Sequence, residues 1–84
     1  MNIVIYSKNN CPNCETAINA AFNLNATVIV KKIDESAEFY SQLLTEVPDA
    51  RSVPQIFVNG SYVGGADKFI NWINLTNGGT KIVL

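Results

Sequence analysis

Cys11 and Cys14 are the only cysteines in the chain, and two residues separate them. They lie between an apolar run and a stretch with helical periodicity, which predicts a dithiol at a strand-to-helix junction. Pro12 suits the first helical turn, where its missing N–H costs nothing. Cys11 is then at the helix N-terminus, where free N–H groups and the helix dipole favour a thiolate. The pattern predicts a disulfide that forms and reopens, rather than a buried pair of small apolar side chains.

A second group of interest is Ser52-Val53-Pro54, directly before a predicted strand. Proline at the first residue of a strand is tolerated because its missing N–H lies outside the ladder. The Val53–Pro54 bond could instead be cis. A cis bond would present the N–H and C=O of Val53 to an extended peptide, which would pair with them as a strand does. The sequence leaves both interpretations open.

Charged residues near these two groups suggest binding roles, each with a simpler alternative. Gly64-Gly65-Ala66-Asp67 opens a predicted helix, whose first N–H groups form an anion site while Asp67 accepts from an ammonium group. Alternatively, Asp67 caps the helix and the glycines only make the turn. Lys8 and Arg51 could attract a carboxylate, and Lys8 could favour a thiolate, although loop cations are commonly just solvated.

The order of predicted elements is β-α-β-α-β-β-α. They are a strand over residues 2–6, a helix over 12–24, a strand from 27, a helix over 37–47, strands over 55–58 and 61–63, and a helix over 66–73. The first two strands are expected to be parallel, joined by a right-handed crossover. Asn59-Gly60 predicts a tight hairpin between the last two strands. The fold class is therefore α/β, with a mixed four-stranded sheet flanked by three helices.

Helical spacing also predicts which side chains face the core. They are Ala17, Ile18, Ala21 and Phe22 in the first helix, Ala37, Tyr40, Leu43, Leu44 and Val47 in the second, and Ala66, Phe69, Ile70, Trp72 and Ile73 in the third. Ser36 is the predicted N-cap of the second helix. Gly78-Gly79 is expected to end the third helical element, and the sequence does not decide the conformation of the apolar tail, residues 80–84.

Composition narrows the function classes. The 84 residues, 48% hydrophobic, predict one domain over residues 1–84, and a net charge of −1 gives no basic surface for nucleic acid or an anionic membrane. The N-terminus has no basic segment before its short apolar run, so we expect a first strand rather than a signal peptide, and a cytoplasmic protein. The absence of histidine excludes a Cys–His nucleophile, and two cysteines are too few for a closed zinc site, so no metal is expected.

Three segments together resemble the glutaredoxin family: Tyr6-Ser7-Lys8 leading to Cys11-Pro12-Asn13-Cys14, residues 50–58, and Val63-Gly64-Gly65-Ala66-Asp67. The resemblance implies a thioredoxin-like fold and glutathione-dependent thiol–disulfide exchange, with glutathione as co-substrate. It assigns attack to Cys11 and resolution to Cys14. The glutathione-binding residues that it implies are Lys8, Cys11, Arg51, Val53, Pro54, Ala66 and Asp67.

Asn13 departs from the family pattern, which usually has tyrosine or phenylalanine there. Its presence predicts weaker glutathione binding or a shifted reduction potential. Two alternatives follow: an electron donor to ribonucleotide reductase that is reduced by thioredoxin reductase, and an iron–sulfur carrier in which two chains share a cluster. The Gly64–Asp67 segment favours glutathione as reductant, and Pro12 disfavours the cluster. The expected partners are glutathione and disulfide-containing or glutathionylated proteins. The chain itself is expected to be a monomer.

Overall fold

The computed structural model describes residues 1–78, so the predictions for residues 79–84 lie outside the described residues. The strands are β1 (Asn2–Ser7), β2 (Thr27–Lys32), β3 (Gln55–Val58) and β4 (Ser61–Gly64). The helices are α1 (Pro12–Phe22), α2 (Ala37–Glu46) and α3 (Ala66–Ile73), and a π-helical turn (Asn74–Gly78) follows α3. This element order agrees with the predicted one, apart from the π-helical turn, which the sequence pattern did not indicate.

The sheet has the order β2-β1-β3-β4. Strand β1 is parallel to β2 and antiparallel to β3, and β3 is antiparallel to β4. Asn59 and Gly60 have φ of 50° and 84°, which confirms the predicted hairpin turn. The hairpin pairs Val58 with Ser61 and Phe57 with Tyr62, and a bulge between Ile56 and Phe57 then places Gly64, rather than Val63, opposite Ile56. The predicted mixed sheet is confirmed.

Both faces of β1 are buried, as expected for a central strand. Ile3 and Ile5 belong to the larger core, on the face covered by α1 and α3. Tyr6 belongs to a smaller cluster on the opposite face, with Leu43 of α2 and Phe57 of β3. Burial, and to a smaller extent the negative charge of Glu46, raise the pKa of Tyr6, so its phenol stays protonated at neutral pH.

Three of the predicted core positions are exposed. Phe22 is 61% exposed because it follows the buried Ala21 by one residue, which turns it about 100° away from the sheet, and α1 ends there rather than at residue 24. Ala37 and Tyr40 are exposed because only the C-terminal half of α2 packs on the sheet. The Ser36 cap is confirmed, since its hydroxyl accepts the N–H of Phe39 at 3.2 Å.

Within residues 1–78, the helices are too short or too polar to cross a membrane.

Candidate active site

Cys11 is the N-cap residue of α1, and a disulfide joins it to Cys14. Its extended backbone (φ −127°, ψ 97°) turns the sulfur back over the first helical turn, where Sγ accepts the N–H of Cys14 at 3.3 Å. Cys14 is 1% exposed and Cys11 is 8% exposed. Cys11 is therefore the sulfur that solvent and substrate reach first, and it lies where the helix N-terminus stabilises a thiolate.

The loop before Cys11 is held by a polar cluster that the sequence did not indicate. The backbone N–H of Asn9 donates to Asp34 at 3.0 Å, and its side-chain amide donates to Glu35 at 2.8 Å. Lys32 donates to the side-chain oxygen of Asn9 at 2.8 Å. These contacts attach the loop that carries Lys8 to the turn between β2 and α2, so this cation is presented from a fixed backbone.

The Val53–Pro54 peptide bond is cis, which decides between the two interpretations left open by the sequence. Pro54 is buried directly before β3. The carbonyl oxygen of Val53 lies 3.8 Å from Sγ of Cys11, so the Val53 backbone borders the disulfide.

Two grooves flank Val53. One has a volume of about 330 Å³, and its lining includes Asn13, Pro54, Ala66 and Asp67. The other has a volume of about 250 Å³, and its lining includes Lys8, Tyr40 and Arg51. Ser52 and Val53 line both grooves. The structure therefore brings all the predicted site residues to one surface, with the cysteines and Val53 in the middle and the charged residues on either side.

Comparison with known proteins identifies the family of this chain. The glutaredoxin family model matches residues 3–63. The chain belongs to the glutaredoxin family. It is 37% identical over 71 residues to Glutaredoxin-C4 of Arabidopsis thaliana, covering 82% of this chain and 53% of that protein. It spans about half the length of the curated relatives it matches.

Two solved glutaredoxins illustrate the structural match. Reduced Escherichia coli glutaredoxin superposes with a TM-score of 0.78 at 26% identity, covering 90% of this chain and 96% of that chain. A buckwheat glutaredoxin, solved as a complex with glutathione, superposes with a TM-score of 0.72 at 24% identity, covering 90% of this chain and 69% of that chain. The second likeness shows the fold alone.

In this glutaredoxin-family chain, Asp67 does not cap α3. The N-cap residue is Gly65, which has no side-chain hydrogen bond to the helix, so the Asp67 carboxylate remains available to a ligand. Gly64 has φ of 128°, a conformation that favours glycine, and a Cβ there would lie 2.8 Å from Cδ of Lys68. The glycines therefore make the turn, as the simpler interpretation held, while Asp67 is free to bind.

Sequence reasoning missed three residues of the larger groove: Gln55, Tyr62 and Lys68. The Tyr62 hydroxyl donates to Oε1 of Gln55, and Nε2 of Gln55 donates to the carbonyl oxygen of Ser52 at 2.9 Å. The alternating pattern of β4 indicates that Tyr62 and Val63 point to opposite faces, but not that the Gln55 amide connects Tyr62 to the loop that carries Val53.

Proposed function

We propose that this chain is a glutathione-dependent thiol–disulfide oxidoreductase, which reduces protein disulfides and glutathione mixed disulfides through Cys11 and Cys14. One observation carries the proposal: Val53 borders the disulfide and lies between a groove containing Asp67 and a groove containing Lys8 and Arg51. Glutathione has a free amino group and carboxylate at its γ-glutamyl end, a thiol in the middle and a carboxylate at its glycyl end. Its charges match the two grooves when its cysteine lies at Val53.

The exposure of the two sulfurs supports their roles in the reaction. In the reduced protein, the Cys11 thiolate attacks the glutathione sulfur of a mixed disulfide, and the other thiolate leaves and takes a proton from solvent. The thiolate of a second glutathione then attacks the Cys11-bound glutathione and releases oxidised glutathione. With a protein disulfide, Cys14 displaces the substrate from Cys11, which yields the Cys11–Cys14 disulfide, and two glutathione molecules reduce it again. Cys14, which is almost fully buried, is suited only to this internal step.

The test is NADPH consumption in an assay coupled to glutathione and glutathione reductase, with a glutathione mixed disulfide as substrate. We expect turnover that depends on glutathione and is not supported when NADPH and thioredoxin reductase replace the glutathione system. Turnover only with thioredoxin reductase would contradict the proposal. It would favour the alternative function, an electron donor to ribonucleotide reductase. A visible absorbance band after anaerobic reconstitution with iron and sulfide, without turnover in either assay, would favour the cluster carrier.

Replacing Asp67 with asparagine is expected to raise KM for the glutathione mixed disulfide about two- to tenfold, because an exposed charged contact to the γ-glutamyl ammonium is lost. The value of kcat should stay unchanged, since Asp67 does not contact the cysteines. Steady-state kinetics with two substrates checks this: the mixed disulfide of glutathione, and that of glutaryl-Cys-Gly, which lacks the amino group. Only the first should respond to Asp67→Asn.

Asp49 provides the matched control, because it is also exposed but lies in the loop after α2 and lines neither groove. Asp49→Asn should leave both KM values as they are. An equal change of KM for the two substrates in Asp67→Asn would contradict recognition of the amino group.

The single domain over residues 1–84, the monomeric state and the cytoplasmic compartment stay predictions from the sequence.

A further inference from the structure

We propose that Tyr62 is a positioning residue that, through Gln55, aims the backbone N–H of Val53 at the substrate. The proposal rests on the proposed function in one respect, namely that the substrate whose backbone pairs with Val53 is glutathione. Tyr62 lies on β4 and does not contact the cysteines; its effect passes through two hydrogen bonds and one peptide group.

The Tyr62 side chain is fixed at both ends although it is 50% exposed. Its ring packs against the Phe57 ring, with centroids 5.2 Å apart. Its hydroxyl donates to Oε1 of Gln55. An exposed tyrosine with no such contacts would change rotamer freely, so this anchoring holds the hydroxyl at one place beside the larger groove.

Gln55 transmits the position of Tyr62 to the loop before Pro54. Its side chain is buried, and the residue is 8% exposed, so its amide needs partners within the protein. Tyr62 satisfies the oxygen, and the nitrogen donates to the Ser52 carbonyl at 2.9 Å. The Ser52 carbonyl only accepts, so it fixes the nitrogen end of the amide, and the bond from Tyr62 to the oxygen end then holds the Gln55 side chain in this position.

The Ser52 carbonyl and the Val53 N–H belong to the same peptide group. That group is planar and trans, so its C=O and N–H point in opposite directions. Holding the Ser52 oxygen toward the buried Gln55 amide therefore turns the Val53 N–H outward. Within residues 1–78 this N–H has no protein hydrogen-bond partner, so it is available to a substrate backbone beside Cys11.

Tyr62→Phe keeps the ring and removes only the hydroxyl. Gln55 then loses the partner that anchors its oxygen, its side chain can shift, and the Ser52–Val53 peptide group is held less firmly. The loss of one such orienting hydrogen bond is expected to slow reaction with a peptide disulfide about three- to tenfold. A small disulfide with no peptide backbone does not use the Val53 N–H and should react at the wild-type rate.

The experiment follows single-turnover oxidation of the reduced protein, with acid quenching and mass spectrometry. One substrate is oxidised glutathione and the other is bis(2-hydroxyethyl) disulfide without any glutathione. We expect Tyr62→Phe to slow only the first reaction. In a Gln55→Leu background, Tyr62→Phe should have no additional effect, because the path to Ser52 is already broken. Equal slowing with both disulfides, or no slowing with either, would overturn the proposal.

Failure of the proposed function gives a different result. Wild-type protein that reacts no faster with oxidised glutathione than with the hydroxyethyl compound would overturn glutathione as the substrate. The Tyr62 arrangement is then tested by ¹H–¹⁵N spectra. Tyr62→Phe should shift the Val53 amide and Gln55 side-chain amide signals while leaving distant core signals in place, and unchanged signals from both groups would overturn it.

Discussion

Cys11→Ser is expected to lower turnover of the glutathione mixed disulfide by roughly a thousandfold or more, because the attacking group is removed. Serine at this position keeps an oxygen that can accept the Cys14 N–H, so the helix cap is retained. A hydroxyl group, however, is a far weaker nucleophile than a thiolate and forms no disulfide. The remaining cysteine is 1% exposed and cannot replace it. The coupled NADPH assay measures the loss.

Cys14→Ser is the matched variant, since it is the same substitution in the same motif. We expect it to retain part of the turnover with the glutathione mixed disulfide, which needs only the Cys11 sulfur. Reduction of a protein disulfide should fail, and mass spectrometry should detect the protein trapped as a mixed disulfide. Full activity of Cys11→Ser, or loss of both activities only in Cys14→Ser, would reverse the assigned roles.

The central part of the candidate site could be predicted from the sequence because its determinants are local. The Cys11–Cys14 spacing and Pro12 define a strand-to-helix turn, and the position of Asn59-Gly60 defines the hairpin that follows β3. Lys8 is three residues before Cys11, so its nearness to the cysteines is also local, whereas the prediction that Asp67 lies near them depended on the family resemblance. Neither local propensity nor spacing indicates how the charged residues are arranged around Val53.

The parts that were not predicted depend on tertiary packing. Helical spacing placed Phe22 and Tyr40 in the core, but a helix on a small sheet buries only a narrow stripe of side chains, and both lie outside it. The link from Tyr62 to Ser52 requires a buried amide to reach both the Tyr62 hydroxyl on β4 and the turn before Pro54. Such a coincidence has no signature in a single sequence.

Phe69→Ala is expected to have the largest effect on stability. Phe69 is fully buried in the larger core, among Ile3, Ile5 and Ala17, and its ring stacks on Trp72 with centroids 6.0 Å apart. Truncating a buried phenylalanine costs about 3–5 kcal/mol of unfolding free energy, and a domain of this size has about 4–13 kcal/mol in total. At about 4–8 °C per kcal/mol, Tm should fall by at least about 12 °C in thermal unfolding.

Phe22→Ala tests whether burial causes that loss, because it makes the same chemical change at a side chain that is 61% exposed. It should change the unfolding free energy by less than about 0.5 kcal/mol.

Phe69 also lies on the helix that begins with Ala66 and Asp67, so a cavity beneath α3 loosens one groove while α1 still holds the cysteines. Below its Tm, Phe69→Ala should therefore raise KM for the glutathione mixed disulfide. The fold increase in this KM should exceed the fold decrease in the rate with bis(2-hydroxyethyl) disulfide. Similar decreases of Tm in the two phenylalanine variants would contradict the burial argument. Equal fold losses of activity with the two disulfides would show that α3 does not contribute to substrate binding.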